Sequence, residues 1–310
     1  MRAPNDPPKA KQRNVVALTV FRRQLWAACY GQGLYFLDGK QWRFQQRCPK
    51  YITGVFADVD RLWFCTWMEG EIGFVKHAYA PPTRIPLPRL VTPRFAYRNY
   101  CIAASETEVW VGSQTYLLRL QKGSREETPE WDLVIPSDLV YSIVPHANGV
   151  WIATAGELWV FRENSQGFQF QLVRSDLSIS RIAIDPDRKT LWVGSKNGKE
   201  GALWLYEIES GRWNLVVKFP IRDDKTEVTA ILPSSRFVYA SIGSCGFTAE
   251  PADSAKGGVG LYDKKSGQWY WLEGLQGKDI KSLAIFEGNL WVGGADGIRI
   301  AANHVEEGSG

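Results

Sequence analysis

Lys281-Ser282-Leu283-Ala284-Ile285 followed by Leu290-Trp291-Val292-Gly293-Gly294-Ala295-Asp296-Gly297-Ile298-Arg299-Ile300 is the stretch from which the fold can be read. Two short runs of apolar and β-branched residues flank a Glu-Gly-Asn turn, and a third run follows an Asp-Gly turn, which is the signature of paired strands. The Leu-Trp step recurs along the chain as Leu25-Trp26, Leu62-Trp63, Val109-Trp110, Val150-Trp151 and Leu191-Trp192, with Val238-Tyr239 in the remaining place. Successive aromatic residues are separated by 37, 47, 41, 41, 47 and 52 positions. A period of about 40–50 residues is that of a four-stranded propeller blade.

Three further columns keep this register. Two residues after the aromatic stands a small residue: Ala28, Cys65, Gly112, Ala153, Gly194, Ser241 or Gly293. Nine residues before it stands another small residue followed by an aliphatic one: Ala17-Leu18, Gly54-Val55, Cys101-Ile102, Ser142-Ile143, Ala230-Ile231 and Ser282-Leu283. The fifth repeat has Arg181-Ile182 eleven residues before Trp192, and the turn-rich Asp185-Pro186-Asp187-Arg188-Lys189-Thr190 absorbs the extra length. Two residues before the small position lies Val15, Ile52, Val140, Ile179, Val228 or Ile280, with Asn99 as the exception.

Each repeat continues with a third strand, as in Gly33-Leu34-Tyr35-Phe36 or Leu158-Trp159-Val160-Phe161. A fourth often carries Trp between polar residues, as in Gln41-Trp42-Arg43 and Arg212-Trp213-Asn214. Helical periodicity is absent. The sequence therefore predicts an all-β chain: a single-ring, seven-bladed β-propeller of four-stranded antiparallel blades. Blades start near 14, 51, 99, 139, 178, 227 and 280, so the propeller spans 14–302, between an N-terminal arm (1–13) and a C-terminal tail (303–310). The last repeat has three strong strands. Its fourth is expected from the arm near Lys11-Gln12-Arg13, with His304-Val305-Glu306 as the alternative.

With its repeats in register, the chain resembles the two-component-regulator propeller family. Residues 281–300 and 14–44 carry the resemblance best, and it extends over about 14–302. It implies the seven-bladed fold and a sensing or interaction role. The Gly-His and Trp-Asp signature of WD40 blades and the kelch doublet are both absent.

Composition excludes several function classes. The 37 Lys and Arg against 33 Asp and Glu leave a net charge of +4, with no basic cluster of the kind that nucleic-acid binding needs. No apolar run approaches the ~20 residues of a membrane-spanning helix. The five cysteines (Cys29, Cys48, Cys65, Cys101, Cys245) form no CxxC pair and read as free, buried thiols. Together with an N-terminus that lacks an apolar signal core, they suggest a cytoplasmic address.

Chemistry needs clusters that the sequence does not offer. The three histidines, His77, His146 and His304, lie at no metal-ligand spacing. Gly194-Ser195-Lys196-Asn197-Gly198-Lys199 has the wrong spacing for a phosphate loop and reads as a strand turn. The expectation is a protein that is not an enzyme, holds no cofactor and no metal, and works by binding.

Binding residues on a rigid scaffold concentrate in its loops. The connections between strands 2 and 3 and between strands 4 and 1 share one propeller face. On that face the candidates are Trp67, Arg94, Tyr97, Arg98, Lys196, Arg222 and Phe247, because arginine and aromatic side chains anchor interfaces. Arg181 joins them as a charge where the other six blades place a small residue, and so near the axis it needs a partner or water. A protein partner is the leading expectation, in a signalling or defence-type assembly. A small-molecule or glycan ligand at the channel mouth is the alternative, a propeller lyase or hydrolase a second one, and nucleic acid a weak fourth.

Overall fold

In a computed structural model of the chain, residues 14–301 are described apart from 68, 89–98, 124–128, 136–138, 148, 165–166, 198–199, 221–225 and 245–256. Among the described residues every regular element is a strand. Six sheets have four strands and one has three, and all are antiparallel meanders. The chain is a seven-bladed β-propeller. Its inner strands are Val15–Phe21, Ile52–Ala57, Asn99–Ala104, Val140–His146, Ser178–Ile184, Thr226–Pro233 and Ile280–Phe286. The residues expected to complete the seventh blade, 1–13 and 303–310, lie outside the described residues.

The repeat columns now acquire physical reasons. In six blades the small residue of the inner strand pairs directly with the small residue of the second strand (Ala17 with Ala28, Gly54 with Cys65, Cys101 with Gly112, Ser142 with Ala153, Ala230 with Ser241, Ser282 with Gly293), and in the fifth Arg181 takes that place opposite Gly194. The space left there is filled by the next blade. A Cβ added at Gly112 would lie 2.5 Å from Val140 Cγ1, one at Gly194 2.6 Å from Val228 Cγ1, and one at Gly293 2.6 Å from Val15 Cγ1. The last of these joins blade seven to blade one. The aliphatic residue two positions before each small one is thus a knob, and the preceding blade supplies its hole.

Asn99, the exception in that column, is fully buried but satisfied. Its Nδ2 donates to Thr66 O at 2.9 Å in the preceding blade, and its Oδ1 accepts from Tyr116 Oη at 2.8 Å. A polar knob is tolerated because both ends of its amide are paired.

Toward the periphery the blades diverge and aromatic rings fill the wedges. Trp26, Trp63, Trp110, Trp151, Trp192 and Tyr239 are buried at the equivalent position of six second strands. Each such ring removes roughly 150–250 Å² from water. Two of these indoles also organise a repeated polar tie. Asp58 accepts from Trp63 Nε1 at 2.8 Å and from Lys122 of the next blade at 2.5 Å. Asp185 does the same with Trp192 at 2.7 Å and Lys264 at 2.5 Å. Both lysines also donate to a carbonyl in their own blade, Ser105 O and Ser234 O. These ties lie at the face formed by the connections between strands 1 and 2 and between strands 3 and 4.

Candidate functional site at the channel mouth

All seven inner strands break register at one equivalent position, just before the small residue. The extra residue is Val16, Thr53, Tyr100, Tyr141, Ser180, Thr229 or Lys281. A bulge leaves its residue out of the ladder and re-aims its side chain. Here the effect is sevenfold, and a cavity of about 480 Å3, counted out to its open mouth, is lined by six of these residues (Val16, Thr53, Tyr100, Tyr141, Thr229 and Lys281) with Arg181, Glu227 and Ser244. The lining residues cluster near the start of the inner strands and the end of the second strands. The cavity therefore opens on the face that carries the connections between strands 2 and 3 and between strands 4 and 1.

Small hydroxyls at the bulge weld neighbouring blades. Thr53 Oγ1 donates to Asn99 O at 2.7 Å, Ser180 Oγ to Val228 O at 2.9 Å, and Thr229 Oγ1 to Ile280 O at 2.5 Å. In each case the acceptor is the residue just before the bulge of the next blade. Arg181 extends the principle over three blades. Its Nε donates to Thr229 O at 2.7 Å, and its Nη1 to Tyr141 O at 3.0 Å and Ser180 O at 2.8 Å. The charge that sequence placed near the axis is held by backbone carbonyls of blades four, five and six.

Further charges gather around it. Lys281 is buried, with Nζ 3.9 Å from Asp279 Oδ2. Asp279 accepts from the Ser244 amide at 2.7 Å and the Ser244 hydroxyl at 2.8 Å. Glu227 keeps some contact with solvent in the channel, yet protein surrounds it. Burial pushes its carboxyl above the ordinary range, while Arg181, Lys196 and Lys281 pull it back.

Aromatic rings form the other side of the mouth. Trp67 meets Tyr100 edge to face at 5.3 Å, and Tyr100 lies 6.5 Å from Tyr141. The Trp67 amide donates to Tyr51 O at 2.9 Å, and the Tyr51 ring, 46% exposed, contacts Tyr30 at 5.4 Å.

Of the sequence-derived candidates, the structure brings Trp67, Arg181 and Lys196 to this mouth. Arg94, Tyr97, Arg98, Arg222 and Phe247 lie outside the described residues. Tyr100, Tyr141, Glu227 and Lys281 were missed. Three of them occupy the bulge column, which varies freely between two columns of fixed size and so marks no residue by itself. His146, by contrast, sits at the opposite end of its strand, where its Nε2 lies 2.9 Å from Arg188 O. Among the described residues, no group of three or more His, Cys, Asp or Glu could hold a metal ion. Among the described residues there is no helix long and apolar enough to cross a membrane.

No family model matches the chain, and no curated protein matches it. Among solved structures it is similar to the extracellular domain of a hybrid two-component system from B. thetaiotaomicron, with a TM-score of 0.71 and 16% identity over 96% of this chain. This chain spans only 39% of the length of that one. It is also similar to the Cps50 (Swd1) β-propeller domain of Myceliophteria thermophila, at TM-score 0.68 and 11% identity, covering 96% of this chain and 99% of that one. A third similar structure is the WD40 propeller domain of Doa1, at TM-score 0.61 and 15% identity, covering 93% and 92%. The first similarity agrees with the resemblance read from the repeats. At these identities the likeness speaks for the fold.

Proposed function

We propose that this chain is a non-catalytic binding propeller that presents its channel-mouth face to a partner protein. The observation that carries this reading is the meeting of Trp67, Tyr100 and Tyr141 with Arg181, Lys196 and Lys281 on one face of a rigid ring. Aromatic and arginine side chains together are the composition of interface anchors. Arg94, Tyr97 and Arg98 in the connection 89–98, Arg222 in 221–225 and Phe247 in 245–256 are proposed to widen the same interface. The similar structures include the extracellular domain of a two-component system and a WD40 propeller domain, which is in keeping with binding as the kind of work done. The free thiols favour a cytoplasmic setting for the assembly.

A second reading, a small molecule or glycan bound in the mouth itself, is favoured by the polar cavity around Arg181. Affinity capture from native lysate tests the first. Wild type is expected to retain a defined protein that Trp67→Ala and Arg94→Ala/Arg98→Ala each lose, while Leu215→Ala on an outer strand keeps it. Retention by all variants would remove the docking face from this position.

A further inference from the structure

Six blades have four strands, whereas blade seven, among the described residues, ends at its third, Gly297–Ala301. The outer side of that strand is uncovered. Ile300, opposite Trp291, is 41% exposed, while its counterparts Phe36, Phe74, Arg119, Val160 and Leu261 are buried. Trp291 is half-buried, while the equivalent ring of every other blade is fully buried. The backbone is turned the same way. In blades one and six the fourth-strand side is marked by Gln45 N donating to Leu34 O at 2.8 Å and Leu272 N to Val259 O at 2.9 Å. Leu34 and Val259 stand opposite the small residue of the second strand, as Ile298 does. In an antiparallel strand the N–H and C=O of one residue point to one side, and those of the residue two further on join them. Ile298 and Ile300 therefore turn theirs toward the place of a fourth strand, and such an edge is a template for pairing.

The seat is shaped for a ring. In five blades an aromatic residue of the fourth strand (Trp42, Trp131, Phe170, Trp213, Trp269) stands opposite a large residue of the third. Blade seven has Ala301 in that column and leaves room. Blade six supplies a wall. Trp269 stacks on Phe219 of blade five at 6.1 Å, so its neighbour Tyr270 faces blade seven. Tyr270 is 47% exposed, and its counterparts in the other blades are Arg43, Thr83, Asp132, Gln171 and Asn214. In four blades the ring opens an aromatic–polar–apolar triplet: Trp42-Arg43-Phe44, Trp131-Asp132-Leu133, Phe170-Gln171-Leu172 and Trp213-Asn214-Leu215. The flanking segments 1–13 and 302–310 contain no Phe, Trp or Tyr. Four blades space the ring 9–11 residues before the next knob, which before Val15 falls on Pro4, Asn5 or Asp6, in a stretch whose prolines cannot donate to a ladder. A hairpin back from Ala301, at the spacing of five residues in blade one or seven in blades five and six, places Glu306 or Gly308 there.

We propose that an extended segment of a partner protein, carrying an aromatic–polar–apolar triplet, adds to the outer edge of blade seven as its fourth strand. Its ring fills the place beside Ala301 and Tyr270, and its backbone pairs with Ile298 and Ile300. In strand addition the main chain supplies affinity and the side-chain pocket supplies selectivity. This surface lies on the rim, apart from the channel mouth, and does not depend on the reading of that face.

The probe is a capped, fluorescein-labelled peptide with the sequence of residues 39–45 (Gly-Lys-Gln-Trp-Arg-Phe-Gln), titrated with the full chain and followed by fluorescence polarisation. Saturable binding below about 1 mM is expected. Trp42→Ala in the peptide should weaken it about tenfold or more. N-methylation at Arg43, whose N–H faces the ladder, should do the same, whereas N-methylation at Phe44, whose N–H faces away, should not. In the protein, Tyr270→Ser and Ile300→Lys, both at exposed positions, should each weaken the peptide about tenfold, and Leu215→Ala should leave it unchanged. Hydrogen exchange of the full chain supplies the second readout: the amides of Ile298 and Ile300 should exchange fast in the free protein and slowly with the peptide bound. No saturation, equal binding of the Trp42→Ala peptide, or no loss in Tyr270→Ser would overturn the assignment. Protection of those amides in the free chain at every concentration would give the edge to 1–13 or 303–310, and protection that grows with concentration would give it to a second copy; either result overturns the partner strand.

Discussion

Gly194→Ala should destabilise the protein, although the same change in an extended backbone ordinarily stabilises by about 0.4–1 kcal/mol through the unfolded chain. Gly194 is not in the left-handed region, so its backbone accepts alanine without strain. The obstacle is the next blade. The new Cβ would lie 2.6, 2.7 and 3.1 Å from Cγ1, Cβ and Cγ2 of Val228, distances that real Cβ contacts rarely or never show. Val228 is fully buried in a cluster with Trp192, Leu203 and Phe219, so it has nowhere to retreat. Overpacking of this kind costs about 1–3 kcal/mol. Set against the unfolded-state gain, a net loss of about 1–2 kcal/mol remains, and Tm should fall by about 2–6 °C. The assay is thermal and urea unfolding of wild type, Gly194→Ala, Val228→Ala and the double variant. Truncating Val228 removes two of the three close atoms, so the double variant should lose about 1 kcal/mol less than the sum of the singles. A Gly194→Ala protein as stable as wild type, or strict additivity, would refute the knob-and-hole account of blade packing.

Three further outcomes follow from buried titratable groups. Burial pushes the Asp58 carboxyl up, but Lys122, Trp63 and the turn amides of Arg61 and Asp60 outweigh it and hold the group below the ordinary range. Its stabilising share is therefore present above the unfolded-state pKa and is lost as pH falls through the depressed one. Urea midpoints of wild type and Asp58→Asn should converge as the pH is taken down through that window. Glu227 has the opposite sign: its raised carboxyl is best accommodated below the unfolded-state pKa and costs stability as pH rises. Glu227→Gln should thus raise Tm at pH 7–8 and have little effect near pH 4 (by ~4 the unfolded-state group is largely protonated). Burial pushes the thiols of Cys29, Cys48 and Cys65 up to about 12, and that of Cys101 higher still. None of these four should react with Ellman's reagent at pH 8 in the folded protein, and all should react in guanidinium, as mass mapping of labelled peptides would show.

The fold was legible because its packing rule acts within each repeat. The paired small residues, the aliphatic knob and the buried indole all recur at fixed offsets, since every blade meets its neighbour in the same way. Only half of the site was legible. Arg181 stood out because it broke a column of small residues, and Trp67 because an aromatic side chain in a connection on that face reads as an interface anchor. Tyr100, Tyr141 and Lys281 gave no such signal. They occupy the bulge position, which the ladder does not constrain, and only closing seven strands into a ring points that position at a shared channel. Glu227 was hidden for a related reason: its neighbours Arg181, Lys196 and Lys281 come from blades five and seven. The purpose of Arg181 also depends on ring closure, because its acceptors belong to three different blades.

The claim that recognition occurs at the channel mouth is tested most directly by a photo-crosslinking amino acid placed singly at Tyr100, at Trp67 and, as an outer-strand control, at Leu215. After irradiation in native lysate and mass spectrometry, the two mouth positions should yield the same adduct and the outer position none. Adducts formed at Leu215 with none at Tyr100 or Trp67 would contradict the claim and move the recognition surface to the rim of the propeller.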